Sequence, residues 1–207
     1  GRRQFDGLRG NKGEKLDLES VAAVRGAGGY ALVLFGSGST PVRDVVVRVD
    51  GAGARVHRAG RLFDALRANR ELAGSELNIE GAVVLDRGVV RLFQRGNGAP
   101  RDGVQPVDAS VDVSWPALVG GVDPETSARV LGRVVRYDLG RVGGVRLTFT
   151  DATARADGRV LYLASAEDSP DAVRDGPVAG SVVGVTDEEG NARHALLRDR
   201  RGRRLAY

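Results

Sequence analysis

Cysteine is absent from all 207 residues, and so is methionine. The first absence excludes disulfides, cysteine-ligated zinc and thiol catalysis. The second, with an opening of GRRQFDG, reads as a processed or partial product. Aromatic residues make up only 5% of the chain, which is thin for a nucleic-acid groove built from stacking rings and interleaved cations. Histidine occurs only at 57 and 194, isolated from any H-E-x-x-H spacing, so histidine-ligated metal is not expected. No apolar run approaches the roughly 18–20 residues of a membrane span, and no signal-peptide pattern opens the chain. Membrane partners are therefore not expected. A leader removed earlier fits the same sequence, which leaves cytoplasm and periplasm both open.

The net charge of +4 has an address. Arg198 to Arg204 holds five arginines and one aspartate, which equals the whole net charge, and the remaining residues balance. Lysine occurs only at 12 and 15, so arginine usage reflects composition as much as a binding surface. Charges of both signs are interleaved, where a phosphate groove gathers cations on one face. Nucleic acid is not the expected partner, and residues 198–207 read as a basic, solvated tail.

What the sequence does have is repetition. DLESVAAVRGAGGYALVLFGSGS (17–39), NIEGAVVLDRGVVRLFQRGNG (78–98) and FTDATARADGRVLYLASAED (149–168) share one plan. An acid stands near the start: Glu19, Glu80 and Asp151. An apolar strand follows, then a turn rich in Gly, Asp or Arg, then a second strand ending in polar residues. Asp157-Gly158 is a good hairpin signal. Third strands read as 43–50, 108–115 and 180–187, and fourth strands as 54–59, 133–139 and 192–199. The acids are 61 and 71 residues apart, longer than the ~40–50 of common propeller repeats. The excess holds helical spacing in 60–74, with Leu62, Phe63, Leu66 and Leu72 on one face. A second short helix is signalled at 123–132 by Asp123 and Pro124, while RVLGRVV (129–135) equally feeds a strand.

Repeated units of four antiparallel strands imply an all-β, β-propeller-like fold with three recognisable blades, part of a larger or incomplete ring. The units run about 17–77, 78–148 and 149–197, after an extension (1–16) that reads as a remnant of a preceding blade. The phrases DLESVA, ELNIEGAVV, QRGNG, FTDATA and ASAEDSPDAVRDGPVAGSVVGV resemble an uncharacterised bacterial propeller-type family, a domain of unknown function. More distantly the chain is similar to esterase-like phytase propellers. The resemblance implies fold and little about activity.

In a propeller the repeated acids converge on one funnel. Glu19, Glu80 and Asp151 are then candidate ligands for Ca²⁺ or Mg²⁺, which take carboxylate, amide and carbonyl oxygens. Without a cation such acids repel, and one stays protonated. The plainer role for a repeated acid is to accept backbone N–H groups and tie blades together. The strand-end clusters differ between blades: Ser37 and Ser39, Arg95 and Asn97, Glu167 and Asp168. Variation at equivalent positions is the pattern of a ligand-binding surface, with Ser37, Arg95, Asn97, Glu167 and Asp168 as candidates. Arg95 is suited to a carboxylate or phosphate, or to an ion pair with Glu167 or Asp168. GSGST (36–40) lacks the lysine of a phosphate-binding loop, and no G-x-S-x-G elbow occurs. Trp115 reads as a blade-packing residue. The leading expectation is a module that binds a small polar ligand or partner, with or without a divalent cation. The alternatives are a metal-assisted esterase or phosphoesterase and a protein-interaction scaffold. No residue is assigned a catalytic role.

Overall fold

Alternating apolar runs become strands along the chain, in a computed structural model that describes residues 4–5, 9–26, 29–85, 88–114 and 131–206. The first unit supplies β1 (Leu18–Gly26), β2 (Gly29–Gly36), β3 (Val45–Asp50) and β4 (Gly53–Arg58). The second supplies β5 (Ile79–Leu85), β6 (Val89–Gln94), β7 (Asp108–Ser114) and β8 (Leu131–Tyr137). A two-stranded ribbon follows, β9 (Arg141–Val142) and β10 (Val145–Arg146). The third unit supplies β11 (Thr148–Ala154), β12 (Val160–Glu167), β13 (Val178–Thr186) and β14 (Ala192–Leu196). Each four-stranded sheet is an antiparallel meander in chain order, because short connections pair each strand with its successor. The fold is thus mostly β, with four antiparallel sheets among the described residues.

Two helices interrupt the strands, α1 (Gly60–Ala68) and α2 (Arg70–Ala73). They fall where the 60–74 spacing predicts, and Leu62, Phe63, Leu66 and Leu72 are fully buried. Asn69 caps α2, its Oδ1 accepting the Leu72 N–H at 3.3 Å. The helix expected at 123–132 lies outside the described residues up to 130, and β8 already runs from Leu131. Trp115 is also outside the described residues.

The sheets stack in order, and β5 lies between β1 and β11. One face of the first sheet (Ala22, Val24, Val33, Phe35, Val46) meets one face of the second (Ile79, Ala82, Val90, Leu92, Val111), with the helices filling the same core. The other face of the second sheet (Val83, Phe93, Val135, Tyr137) meets the third (Phe149, Ala152, Val160, Tyr162, Ala164). Here four rings form a chain of edge contacts: Phe93–Phe149 at 5.1 Å, Tyr137–Phe149 at 5.1 Å and Phe149–Tyr162 at 5.2 Å. Strands β5 and β11 approach closely because Gly81 has no side chain. A Cβ there would lie 3.0 Å from the Ala152 Cβ.

Every first hairpin carries a register shift near its start. One extra residue is accommodated on the first strand: Glu19 between Leu18 and Ser20, Glu80 between Ile79 and Gly81, and Thr150 between Phe149 and Asp151. The basic segment is also placed. Arg198 bridges Arg204, and the Ser181 N–H donates to the Leu205 carbonyl at 2.9 Å. Residues 198–204 therefore turn back on themselves and return Leu205 to Ser181 where a free tail was expected, because the Ser181 N–H in β13 needs a partner.

Candidate functional site

In a hairpin the start of the first strand lies beside the end of the second, so both polar constellations fall at one end of the stack. They surround a cavity of about 370 Å³. The first sheet contributes Asp17 and Glu19, the second Asn78, Glu80, Arg95 and Asn97, and the third Glu167. Lys12, Lys15 and Arg43 lie next to the first sheet, and Lys12 Nζ meets residues 172–175 at Asp175 Oδ2, 2.6 Å away. Five cations and five carboxylates line it, with no aromatic ring.

The second and third sheets are locked together at this cavity by Arg95. Its Nη1 donates to Glu80 Oε1 at 3.2 Å, its Nη2 to Glu167 Oε2 at 2.5 Å, and its Nε to Thr148 Oγ1 at 3.2 Å. Asn78 Nδ2 donates to Glu80 Oε1 at 3.0 Å and to Asn97 Oδ1 at 3.2 Å. Burial pushes the Glu80 carboxyl up, against the Arg95 charge and its hydrogen bonds. Glu167 goes the other way: burial opposes ionisation, but the Gly176 N–H and Arg95 outweigh it. Arg95 is accordingly paired with Glu167 as a carboxylate, while Glu80 stands closer to protonation.

A different arrangement occupies the first sheet's side. Asp17 has a left-handed backbone, φ 54°, just before β1, and Glu19 is the bulged residue. Lys15 Nζ lies 2.9 Å from Asp17 Oδ1 and 3.7 Å from Glu19 Oε1. The buried Arg43 places Nη1 2.5 Å from Asp17 Oδ2 and donates to Ser39 Oγ at 2.7 Å and, through Nη2, to the Lys12 carbonyl at 3.1 Å. Its Nε is buried without a hydrogen-bond partner. Burial raises the Asp17 carboxyl, but hydrogen bonds from Glu19 and Lys15 and the Arg43 charge hold it below the usual range. Glu19 is pushed up to about 7, by burial first and then by the hydrogen bond to Asp17 and the neighbouring Asp17 and Glu80 charges. The two acids behave as a pair in which Glu19 keeps the proton.

Most of the residues singled out in the sequence meet here. Glu19, Glu80, Arg95, Asn97 and Glu167 all line the cavity. Ser37 lies beneath it, fully buried, donating to Asp17 Oδ2 at 3.1 Å. Asp151 does not join them. It stands one residue past the bulge, exposed, accepting its neighbour Ala152's N–H at 2.8 Å. Asp168 is exposed and lines a second, more open cavity of about 510 Å³ with Gly96, Pro106, Arg146 and Glu167. Among the described residues, no group of three or more His, Cys, Asp or Glu is placed to hold a metal ion.

Two residues escaped sequence reasoning. Arg43 precedes β3 with no periodic signal to mark it as buried. Asp108, almost wholly buried at the start of β7, accepts N–H groups from Gly96 at 3.2 Å and Phe149 at 3.0 Å, and Arg146 Nη2 at 3.1 Å. It performs the sheet-tying role that the sequence assigned to the repeated acids. Burial raises it to about 6, against those hydrogen bonds. A leading Asp before alternating residues (DASVDVS) is the signal that could have found it.

Residues 11–205 match a family of unknown function, DUF6910. Comparison with curated proteins and with solved structures gives no match, so the likeness to phytase-type propellers gains no support there.

Proposed function

The chain belongs to this family of unknown function, and we propose that it is a binding module for a small polar molecule seated in the cavity where the three sheets end. The observation that carries this reading is that all three sheets contribute polar residues to one pocket: Asp17 and Glu19 from the first, Glu80, Arg95 and Asn97 from the second, and Glu167 from the third. A volume of about 370 Å³ suits a metabolite-sized ligand. Cations and carboxyl groups are equal in number on the walls, and with Glu19 raised to about 7 the cations are in slight excess near neutral pH, which favours a zwitterion that offers a carboxylate or an uncharged molecule with several hydroxyls. Without an aromatic wall, stacking contributes nothing, and selectivity rests on hydrogen bonds from Asn97, Lys15 and Glu19.

The same reading treats the three sheets as blades of a propeller. Support comes from the shared meander order, the shared bulge, and the placement of β1, β5 and β11 next to one another. In that architecture the cavity is the funnel mouth.

One observation favours a second reading, acid–base chemistry. The Asp17–Glu19 pair holds a proton near neutral pH, which is what a general acid or base needs. A cation held by Glu19 and Glu80, the basis of the hydrolase alternative, has to do without Asp151.

Thermal melts against the twenty amino acids, inositol, glycerol, and calcium with and without chelator test the proposal. At least one zwitterion or polyol is expected to raise the melting temperature, and Glu19→Gln and Asn97→Ala to abolish the shift. A response to calcium alone, removed by chelator, replaces the proposal with the cation reading. No response to any of them defeats it.

A further inference from the structure

Three stacked sheets have two inner seams and two outer faces, and the outer faces of this stack carry large apolar side chains. In the first sheet the residues pointing away from the second are Leu18 (37% exposed), Val21 (53%), Tyr30 (73%), Leu32 (45%) and Val56 (55%). Cross-strand pairs put them on one side: Leu18 opposes Gly36, Val21 opposes Leu34, Leu32 opposes Val49, and Val47 opposes Val56. In the third sheet the face turned away from the second carries Leu161, Leu163, Val183 and Val185, again as direct pairs, with Leu163 41% exposed, beside Asp151 opposite Leu163 and Arg193 opposite Val185. Monomeric proteins rarely expose apolar surface on this scale.

The two faces are not equivalent to each other. Each sheet has one face for its predecessor and one for its successor, and the register identifies them. Phe35 opposes Ser20, Phe93 opposes Gly81 and Leu163 opposes Asp151, all directly after the bulge. Phe35 is buried in the seam with the second sheet, and Phe93 in the seam with the third. Leu163 is therefore the corresponding residue of a seam with nothing on its far side among the described residues. By the same register, Val21 follows the bulge as Ala82 and Ala152 do, and both of those are buried against the preceding sheet. The free successor face of the third sheet and the free predecessor face of the first thus hold the positions of the two halves of a seam that the chain already builds twice, with Asp151 where the built seams have Ser20 and Gly81 and Val21 where they have Ala82 and Ala152.

We infer that the occupant of each free face is a second copy of this chain, joined head to tail, the third sheet of one copy on the first sheet of the other. A contact of this kind is heterologous, and a pair of copies that forms it twice closes on itself as a ring of six sheets with two-fold symmetry. No apolar face is then left open. Each copy's polar cavity lies at the same end of its stack as the other's, on the side of the first strands. The pairing is independent of what the cavity binds.

Leu32→Glu and Leu163→Glu test this in the full chain, since both side chains are exposed and both variants are expected to keep the wild-type far-ultraviolet circular dichroism. By sedimentation velocity at tens of micromolar, the wild type is expected at twice the 21.8 kDa of one chain. Each variant alone is expected to be monomeric, its dissociation constant raised about 100-fold or more by an unpaired charge in the seam. Mixing the two variants is the decisive arm. A head-to-tail pair of Leu32→Glu with Leu163→Glu retains one unaltered seam and is expected to recover part of the dimer. Three results overturn the inference: a monomeric wild type, a dimer lost in only one variant, or a mixture that behaves as two monomers. A monomeric wild type assigns the faces to sheets of another polypeptide.

Discussion

The two seams of this stack join the same kind of sheet by different means. The first, between sheets one and two, is closed by aliphatic side chains and by α1 and α2, with a main-chain link from the Ile79 N–H to the Ser37 carbonyl at 2.8 Å. The second is closed by four aromatic rings and by charge: Arg95 reaches Thr148 and Glu167, and Asp108 accepts the Phe149 N–H. The difference divides the cavity. Its Arg95 half is committed to holding sheets together. Its Asp17–Glu19 half has no such duty, and there a carboxyl near neutral pH faces open space. Function is expected on the first sheet's side.

Breaking the second seam has the largest expected effect. Phe149→Ala removes the ring that touches three others and is expected to cost about 4 kcal/mol in a chemical unfolding experiment. Arg95→Ala takes the shared cation from Glu80 and Glu167, and about 3 kcal/mol is expected by the same measurement. Asp108→Ala leaves two backbone N–H groups and Arg146 without their acceptor. Because this acid is itself raised to about 6 by burial, relief of its desolvation reduces the loss to about 2 kcal/mol. On the first sheet's side the corresponding change is small. Glu19→Gln keeps the hydrogen bond of the protonated acid and is expected to shift stability by less than about 0.5 kcal/mol at pH 5.

The pH dependence sharpens the same contrast. A carboxyl raised from its ordinary value to about 7 keeps its proton in the folded protein where the unfolded chain has lost it. The Glu19 contribution is full below the ordinary carboxylate range and is lost as pH rises through about 7. Asp108 adds to the same fall up to about pH 6. Melting temperature is therefore expected to drop between about pH 4.5 and 7, and Glu19→Gln to flatten the upper part of that drop.

Much of this was legible in the residues. Repetition, with alternation in the third strands of the first two units, located the twelve strands of the three large sheets, and helical spacing at Leu62, Phe63, Leu66 and Leu72 located α1 and α2. Arg95, Asn97 and Glu167 stood out because equivalent strand ends carried different chemistry, and the cavity gathers them. The third repeated acid was misaligned by one residue, because a bulge changes register without leaving a signature in composition: Thr150, not Asp151, is the counterpart of Glu19 and Glu80. Asp17 was visible only as a neighbour of Glu19, since the left-handed backbone before β1 that turns it toward Glu19, Lys15 and Arg43 has no mark in the sequence. Arg43 was illegible because a buried guanidinium is made tolerable by partners from distant positions, Asp17 and the Lys12 carbonyl.

A titration of the glutamate side-chain carboxyls followed by ¹³C nuclear magnetic resonance tests the division of the cavity most directly. Glu19 is expected to titrate with a midpoint near 7 and Glu167 below the ordinary carboxylate range. An ordinary midpoint for Glu19 would contradict the account, because the first sheet's half of the cavity would then hold no proton for a ligand or a reaction to use.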